Sequence, residues 1–127
     1  MEKKKIKIFI IEDEQTILDL YSKFFSLKGF DVVGTAKNGI EALKQLKNST
    51  LRPDIFLIDY HMPYLNGIEI SKLILNIDSS FKIIMMSGNT SIKKKALSIG
   101  ILDFFDKSLD LTKLYIKVKE IFDLSKN

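Results

Sequence analysis

Four places in the 127-residue chain end an apolar run on side chains able to do chemistry. Ile8-Phe-Ile-Ile11 runs into Glu12-Asp13-Glu14, and Ile55-Phe-Leu-Ile58 stops on Asp59, ahead of a loop with Pro63 and Asn66-Gly67. Ile83-Ile-Met-Met86 ends on Ser87, and Phe104-Phe105 on Asp106-Lys107. A carboxylate at the mouth of a buried strand is costly unless a partner compensates it. If these ends meet, two or three carboxylates repel by about 4 kcal/mol per pair at 4 Å and an effective dielectric near 20. A bound divalent cation relieves that repulsion. With oxygen ligands and no cysteine, Mg²⁺ is the natural ion, since it binds through one or two carboxylates, waters and phosphate oxygens. Lys107 adds a compact positive charge, and Ser87 a hydroxyl that donates to an oxyanion. Acidic metal ligands, a carboxylate nucleophile, a hydroxyl and a lysine together make a phosphoryl-transfer centre.

Such a centre needs elements that bring residues 12, 59, 87 and 107 to one place. The chain alternates short β-rich runs with longer helical patterns. Strands are expected at Ile6–Ile11, Asp31–Ala36, Asp54–Asp59, Lys82–Ser87 and Leu102–Asp106. Ile17, Leu18, Tyr21, Phe24 and Phe25 recur at helical spacing before a stop at Gly29. Ile40, Leu43 and Leu46 mark a second helix, and Ile70, Leu73, Ile74 and Ile77 a third. Ile92, Ala96 and Ile99 place a short fourth helix, with Lys93–Lys95 on its solvated side. Leu111, Leu114, Val118, Ile121 and Phe122 carry the last. Five βα units in succession predict an α/β fold, a doubly wound parallel sheet with helices on both faces. In such folds ligands gather outside the carboxyl ends of the strands, where all four chemical stretches fall.

The pieces Ile10-Ile-Glu-Asp-Glu14, Pro53-Asp-Ile-Phe-Leu-Ile-Asp-Tyr-His-Met-Pro63, Asn66-Gly67, Ile83-Ile-Met-Met-Ser-Gly88 and Phe104-Phe-Asp-Lys107 together resemble a response-regulator receiver domain. Each piece is short, but all occur in the right order and at expected strand ends. The resemblance covers about residues 5–124. It implies a CheY-like or flavodoxin-like (βα)5 fold with five strands in the order 2-1-3-4-5, one domain over residues 1–127. It implies that Asp59 accepts a phosphoryl group from a sensor histidine kinase or a histidine phosphotransfer protein. By the same resemblance Glu12, Asp13, Asp59 and the backbone carbonyl of His61 hold Mg²⁺. Ser87 binds the new phosphate and Lys107 pairs with it. Phe104 is the aromatic switch residue, repacking as Ser87 is drawn inward and altering the face of the fourth helix, fifth strand and fifth helix. New charge and acceptor oxygens would bias a two-state surface. The product is a signalling phosphoacceptor rather than an enzyme, working as a monomer or a phosphorylation-dependent dimer on a downstream protein target.

Four positions depart from the commonest family pattern. Glu12 stands where aspartate is usual, Ser87 where threonine is frequent, and Gly88 where alanine is frequent. Ser108 replaces the usual proline after the lysine, whose bond is typically cis in the family; a non-proline cis bond costs about 2.5–4 kcal/mol. Plainer readings stand beside each assignment. Glu12 and Asp13 are solvated loop acids, Ser87 caps nearby backbone, Lys107 is a surface lysine, and Phe104 serves the core first. His61 lacks the Cys or His partners of a zinc site and is read as an exposed loop group beside Asp59, which with Asn89 flanks the site.

Other functions fare less well. A haloacid-dehalogenase type phosphatase wants a second aspartate two residues after the first, where this chain has His61. A flavodoxin-like cofactor carrier needs a hydroxyl- and glycine-rich loop after the first strand, and Glu12-Asp13-Glu14 would repel a nucleotide phosphate. A histidine phosphotransfer module is a helical bundle. The alternative kept is a receiver-like interaction module that works without phosphorylation. The charge of +4 is mild: residues 1–64 hold 10 basic and 9 acidic groups, residues 65–127 hold 10 and 7. No basic stripe or reading module for nucleic acid is visible. The apolar runs are too short for a membrane span, and the absence of cysteine suits a reducing cytoplasm. A stand-alone receiver in the cytoplasm is therefore the expectation.

Overall fold

The computed structural model describes residues 4–48, 50, 52–107 and 110–125. Five parallel strands, β1 (Lys7–Ile11), β2 (Asp31–Ala36), β3 (Ile55–Asp59), β4 (Ile83–Ser87) and β5 (Asp103–Asp106), form one sheet in the order β2-β1-β3-β4-β5. Helices α1 (Gln15–Leu27), α2 (Gly39–Lys47), α3 (Gly67–Ile77), α4 (Lys93–Ser98) and α5 (Leu111–Ser125) connect and follow them. The expected fold class and strand order are those observed.

The sheet divides its side chains by the two-residue period of a strand. Phe9, Ile11, Phe56, Ile58, Ile83, Met85 and Phe104 point to one face, where Ala42, Leu46, Ile70, Ile74 and Ala96 of α2, α3 and α4 cover them. Ile8, Ile10, Ile55, Leu57, Ile84, Met86 and Phe105 point to the other, under Leu18, Tyr21 and Phe25 of α1 and Leu114 and Val118 of α5. Burying each such side chain is worth about 1.5–3 kcal/mol. That two-sided demand explains why the central strands read as unbroken apolar runs.

The edge strand β2 departs from that expectation, with only Ala36 buried. Its register against β1 slips between Ile8 and Phe9. The slip sets Gly34 opposite Phe9, where a Cβ would meet the ring at 2.4 Å. Four strands also begin one residue later than expected. The residues left out still join the sheet by one backbone bond each: Ile6 through Asp31 N–H to its carbonyl, Asp54 N–H to Lys7, Lys82 through Phe56 N–H to its carbonyl, and Leu102 N–H to Ile83. Ile40 is 46 % exposed and Leu73 and Ile77 are both 41 % exposed. α2 buries Ala42 and the expected Leu46, one turn apart, so Ile40 falls on the outer side; α3 buries the expected Ile70 and Ile74, joined by Ile68 rather than by Leu73 or Ile77. Ahead of α4, Thr90–Ile92 forms a 3-10 turn, and Lys93, Lys94 and Lys95 are exposed as expected. Among the described residues, no helix is long and apolar enough to cross a membrane.

Candidate functional site

The strands deliver the chemical residues to one rim. Glu12 follows β1 directly, and its N–H donates to Ala36 at the end of β2 (3.0 Å). Asp59 is the last residue of β3, pairing with Met86 of β4, and Tyr60 N–H donates to the Met86 carbonyl at 2.9 Å. Ser87 closes β4 opposite Asp106. Lys107, one residue past β5, donates its N–H to the Ser87 carbonyl (3.1 Å).

The loop after Asp59 is fixed by the start of α3. Asn66 caps that helix by accepting from Glu69 N–H, and the Glu69 carboxylate accepts from Asn66 N–H, both at 2.9 Å. This reciprocal box satisfies two donors that a helix start leaves unpaired. Gly67 donates its N–H to the Tyr60 carbonyl at 2.8 Å. A Cβ on Gly67 would lie 2.8 Å from both the Asp59 carbonyl oxygen and Tyr60 Cα, so only glycine lets the helix approach this closely. Asn66-Gly67 is therefore the buttress behind Asp59 as well as the start of α3.

Glu12, Asp13 and Asp59 each offer a carboxylate oxygen, and these oxygens lie within 4.8 Å of one another. Glu12 and Asp59 are buried, at 0 % and 3 % exposure, and Asp13 is half-buried. The Lys107 ammonium donates to Glu12 Oε1 at 2.7 Å and lies 3.3 Å from Asp59 Oδ1. Asp59 Oδ1 is nonetheless buried without a hydrogen bond. Burial pushes the Glu12 carboxyl up to about 7; the hydrogen bond from Lys107 opposes that rise and the Asp59 charge adds to it. An ion pair alone would lower Glu12, so desolvation wins. For Lys107 burial acts to lower the ammonium, but the hydrogen bond to Glu12 and the charges of Asp59 and Glu12 outweigh it and hold it above the usual lysine value. One lysine faces two buried carboxylates and a third beside them, leaving net negative charge. Three hard oxygen donors and an unbonded buried oxygen suit a hard divalent cation.

The remaining expected residues take varied places. Ser87 is buried, and its Oγ accepts from Asn89 N–H at 2.9 Å. That is the plainer backbone-capping geometry, and it leaves the hydroxyl proton free to donate elsewhere. Around Gly88 a Cβ would meet nothing within 4 Å, so no steric need for glycine exists there. Phe104 is buried among the side chains facing α2, α3 and α4. His61 is exposed, its ring edge-on to Tyr60 at 4.9 Å, and lines a cleft of about 600 Å³ with Asp13, Tyr60, Met62, Pro63 and Asn66. The geometry of the Lys107-Ser108 bond lies outside the described residues.

Two neighbours of the site were not singled out from sequence. Tyr21 is packed between α1 and the sheet, its phenol pushed up by burial, with the charges of Lys107, Glu12 and Asp59 acting on it. Its signal was a polar-tipped aromatic within an otherwise apolar helical stripe. Tyr60 follows Asp59 directly and shares the cleft; a tyrosine in a loop gave no sign of that.

The family model of the response regulator receiver domain matches residues 8–119. Sporulation initiation phosphotransferase F of Bacillus subtilis is 31 % identical over 123 residues, which span 95 % of this chain and 97 % of that protein. Chemotaxis protein CheY of Thermotoga maritima is 34 % identical over 103 residues, 80 % of this chain and 84 % of that one. Other curated relatives are longer, and the chain spans 18 % and 32 % of two of them. A chain of the CheX-CheY-BeF3-Mg²⁺ complex from Borrelia burgdorferi superposes with a TM-score of 0.85 at 28 % identity, covering 92 % of this chain and 89 % of that one.

Proposed function

The chain belongs to the response regulator receiver domain family of two-component systems, and from that premise we propose that it is a phosphoacceptor switch whose acceptor is Asp59. The observation that carries this reading is the convergence of Glu12, Asp13 and Asp59 oxygens within 4.8 Å around a buried, unbonded Asp59 Oδ1. In the proposed step an Asp59 carboxylate oxygen attacks the phosphorus of a donor phosphohistidine. The P–N bond breaks, its electron pair returns to the imidazole nitrogen, and an acyl phosphate forms on Asp59.

Glu12, Asp13, Asp59 and the His61 backbone carbonyl would hold Mg²⁺, which when bound neutralises charge on the phosphoryl oxygens during transfer. The Mg²⁺ in the CheX-CheY-BeF3 complex of the Borrelia burgdorferi relative supports this assignment. Lys107, already within 3.3 Å of Asp59, is positioned to shift from Glu12 to the new phosphate oxygens. Ser87, whose Oγ accepts from Asn89 N–H, would donate its hydroxyl proton to the phosphate. Phe104, on the same strand as Lys107's neighbour Asp106, would pack according to where Ser87 lies, so that the surface of α4, β5 and α5 reports the phosphoryl group.

The donor in this reading is a sensor histidine kinase or a histidine phosphotransfer protein, and the output a downstream protein contact, in the cytoplasm, from a single receiver domain over residues 1–127. The chain is a signalling module rather than an enzyme on an external substrate. A screen of histidine kinases from the same genome tests it. Transfer of label from one kinase to wild type, and none to Asp59→Asn, is the expected result. If no kinase or phosphotransfer protein labels the wild type, the chain works as a receiver-like module by binding alone.

A further inference from the structure

At the end of the sheet opposite the carboxylates, a second concavity of about 190 Å³ opens between the segment leading into β1, the C-terminus of α1 and one side of α5. Lys4, Lys5, Lys28 and Lys119 line it, together with Phe30 and Tyr115. Phosphoryl transfer at Asp59 uses none of them. Among the described residues the ion pairs belong to Lys107 and Lys117, and none of these four lysines has one. The C-terminal carbonyls of α1 carry roughly half an elementary negative charge, enough to balance part of one ammonium only. Three separate elements therefore bring excess positive charge to one hollow, where like charges repel and an anion relieves them.

Lys28 is held in place: its ammonium lies 5.2 Å from the Tyr115 ring centroid and 5.7 Å from that of Phe24. Tyr115 in turn packs edge-on to Phe24 at 6.4 Å and against Phe30 at 6.1 Å. The cation thus occupies a ring that would otherwise offer a stacking surface to a nucleobase. The volume is also below the roughly 300–1,000 Å³ of pockets that take drug-sized ligands. Four lysines act as point charges suited to phosphate oxygens, and one phosphate, with about −1.5 to −2 charge, would leave much of their charge unanswered.

We propose that this hollow binds a compact polyphosphate, two or three linked phosphoryl groups carried either free or as the tail of a nucleotide. The site reads the phosphate chain and not a base. It is independent of Asp59 phosphorylation, so each idea can fail without the other.

Calorimetric titration of the full chain without metal tests this, at low salt and at about 0.15 M, where exposed charges are screened beyond ~8 Å. Tripolyphosphate should bind saturably and tighter than pyrophosphate, and pyrophosphate tighter than orthophosphate. ATP should match tripolyphosphate within a few-fold if the tail is what is read, and AMP should bind as weakly as orthophosphate. Lys28→Gln/Lys119→Gln should weaken tripolyphosphate binding about tenfold, since two of the four facing charges are lost. Lys44→Gln/Lys72→Gln removes the same charge elsewhere and should leave affinity nearly unchanged. Lys4→Gln/Lys5→Gln, in an irregular segment, should weaken binding likewise and serves if the first pair disturbs folding. Absence of saturable tripolyphosphate binding overturns the proposal. So does equal loss in the control pair, which means diffuse charge, or binding of ATP and AMP alike with no tripolyphosphate binding, which means a base site.

Discussion

Glu12 is the residue where burial and function pull hardest against each other. Its carboxyl is pushed up to about 7 by burial, above its unfolded value of 4.5. A raised folded value means the native state binds the proton more tightly, so this contribution to stability is full below about 4.5 and lost as pH rises through about 7. Urea unfolding of metal-free wild type against Glu12→Gln should show the wild type losing relative stability across that window. Carboxylates remote from Glu12 titrate in both proteins and cancel. The proton also competes with a cation, so Mg²⁺ affinity should rise over the same range and flatten above it. Lys107→Ala leaves two buried carboxylates facing each other without their cation. Breaking such a pair costs about 3–5 kcal/mol when fully buried; with Lys107 22 % exposed and Glu12 able to protonate, about 2 kcal/mol is expected near neutral pH. Excess Mg²⁺ should restore part of that loss, which chemical denaturation with and without the ion would measure. That Glu12, Asp13, Asp59, Ser87 and Lys107 lie on one rim of the sheet was legible because each falls at or just past the end of an apolar run. That Lys107 is paired to Glu12 first, and that Ser87 is occupied by Asn89 N–H, depends on side-chain geometry that spacing does not carry.

At the scale of elements, α3 does the most to define the site. Asn66 and Gly67 read from sequence as part of the loop after Asp59; they are the N-cap and first residue of α3, and the contact behind Asp59 gives them a second duty. Gly67→Ala forces a methyl group to within 2.8 Å of the Asp59 carbonyl and Tyr60 Cα. Overpacking of that kind costs about 1–3 kcal/mol, and because the obstacle is backbone, Asp59 should move with it. Both melting and phosphoryl uptake should fall; unchanged uptake would mean that the loop absorbs the methyl group elsewhere. Asn66→Ala removes half the capping box and should cost about 1 kcal/mol without moving Asp59. Helical periodicity located the five α-helices among the described residues but misjudged some faces. Ile40 fits the spacing of Leu43, yet Ala42 and Leu46 are what α2 buries. Small Ala42 is the residue a hydrophobicity count overlooks, and close packing against the sheet selects it. Strand starts were misjudged by one residue because a residue can contribute one sheet bond without belonging to the strand.

Across the whole molecule, five βα units were visible as alternating periods, and their number fixed the class of fold. The order β2-β1-β3-β4-β5 came from resemblance, since periodicity says nothing about which strands are neighbours. That order puts β1 and β3 side by side, so Glu12 and Asp59, distant in sequence, end on adjacent strands. The same architecture carries charge of opposite sign at its two ends, carboxylates beyond the strand C-termini and lysines near the N-termini. A ligand bound only by the folded chain stabilises it by mass action, so Mg²⁺ at ten times its dissociation constant should add about 1.4 kcal/mol. Asp13→Asn, which removes one of the three clustered carboxylates, should reduce that increment at equal ion concentration.

The central claim is that Asp59 is modified because two further carboxylates, Glu12 and Asp13, and the Lys107 ammonium surround it. Intact mass of the protein after incubation with Mg²⁺ and acetyl phosphate, followed by borohydride trapping and peptide mapping, tests it most directly. The account predicts the mass of one added phosphoryl group, labile to base, dependent on Mg²⁺, mapped to Asp59 and absent from Asp59→Asn. No such adduct on wild type, or an equal one on Asp59→Asn, would contradict it.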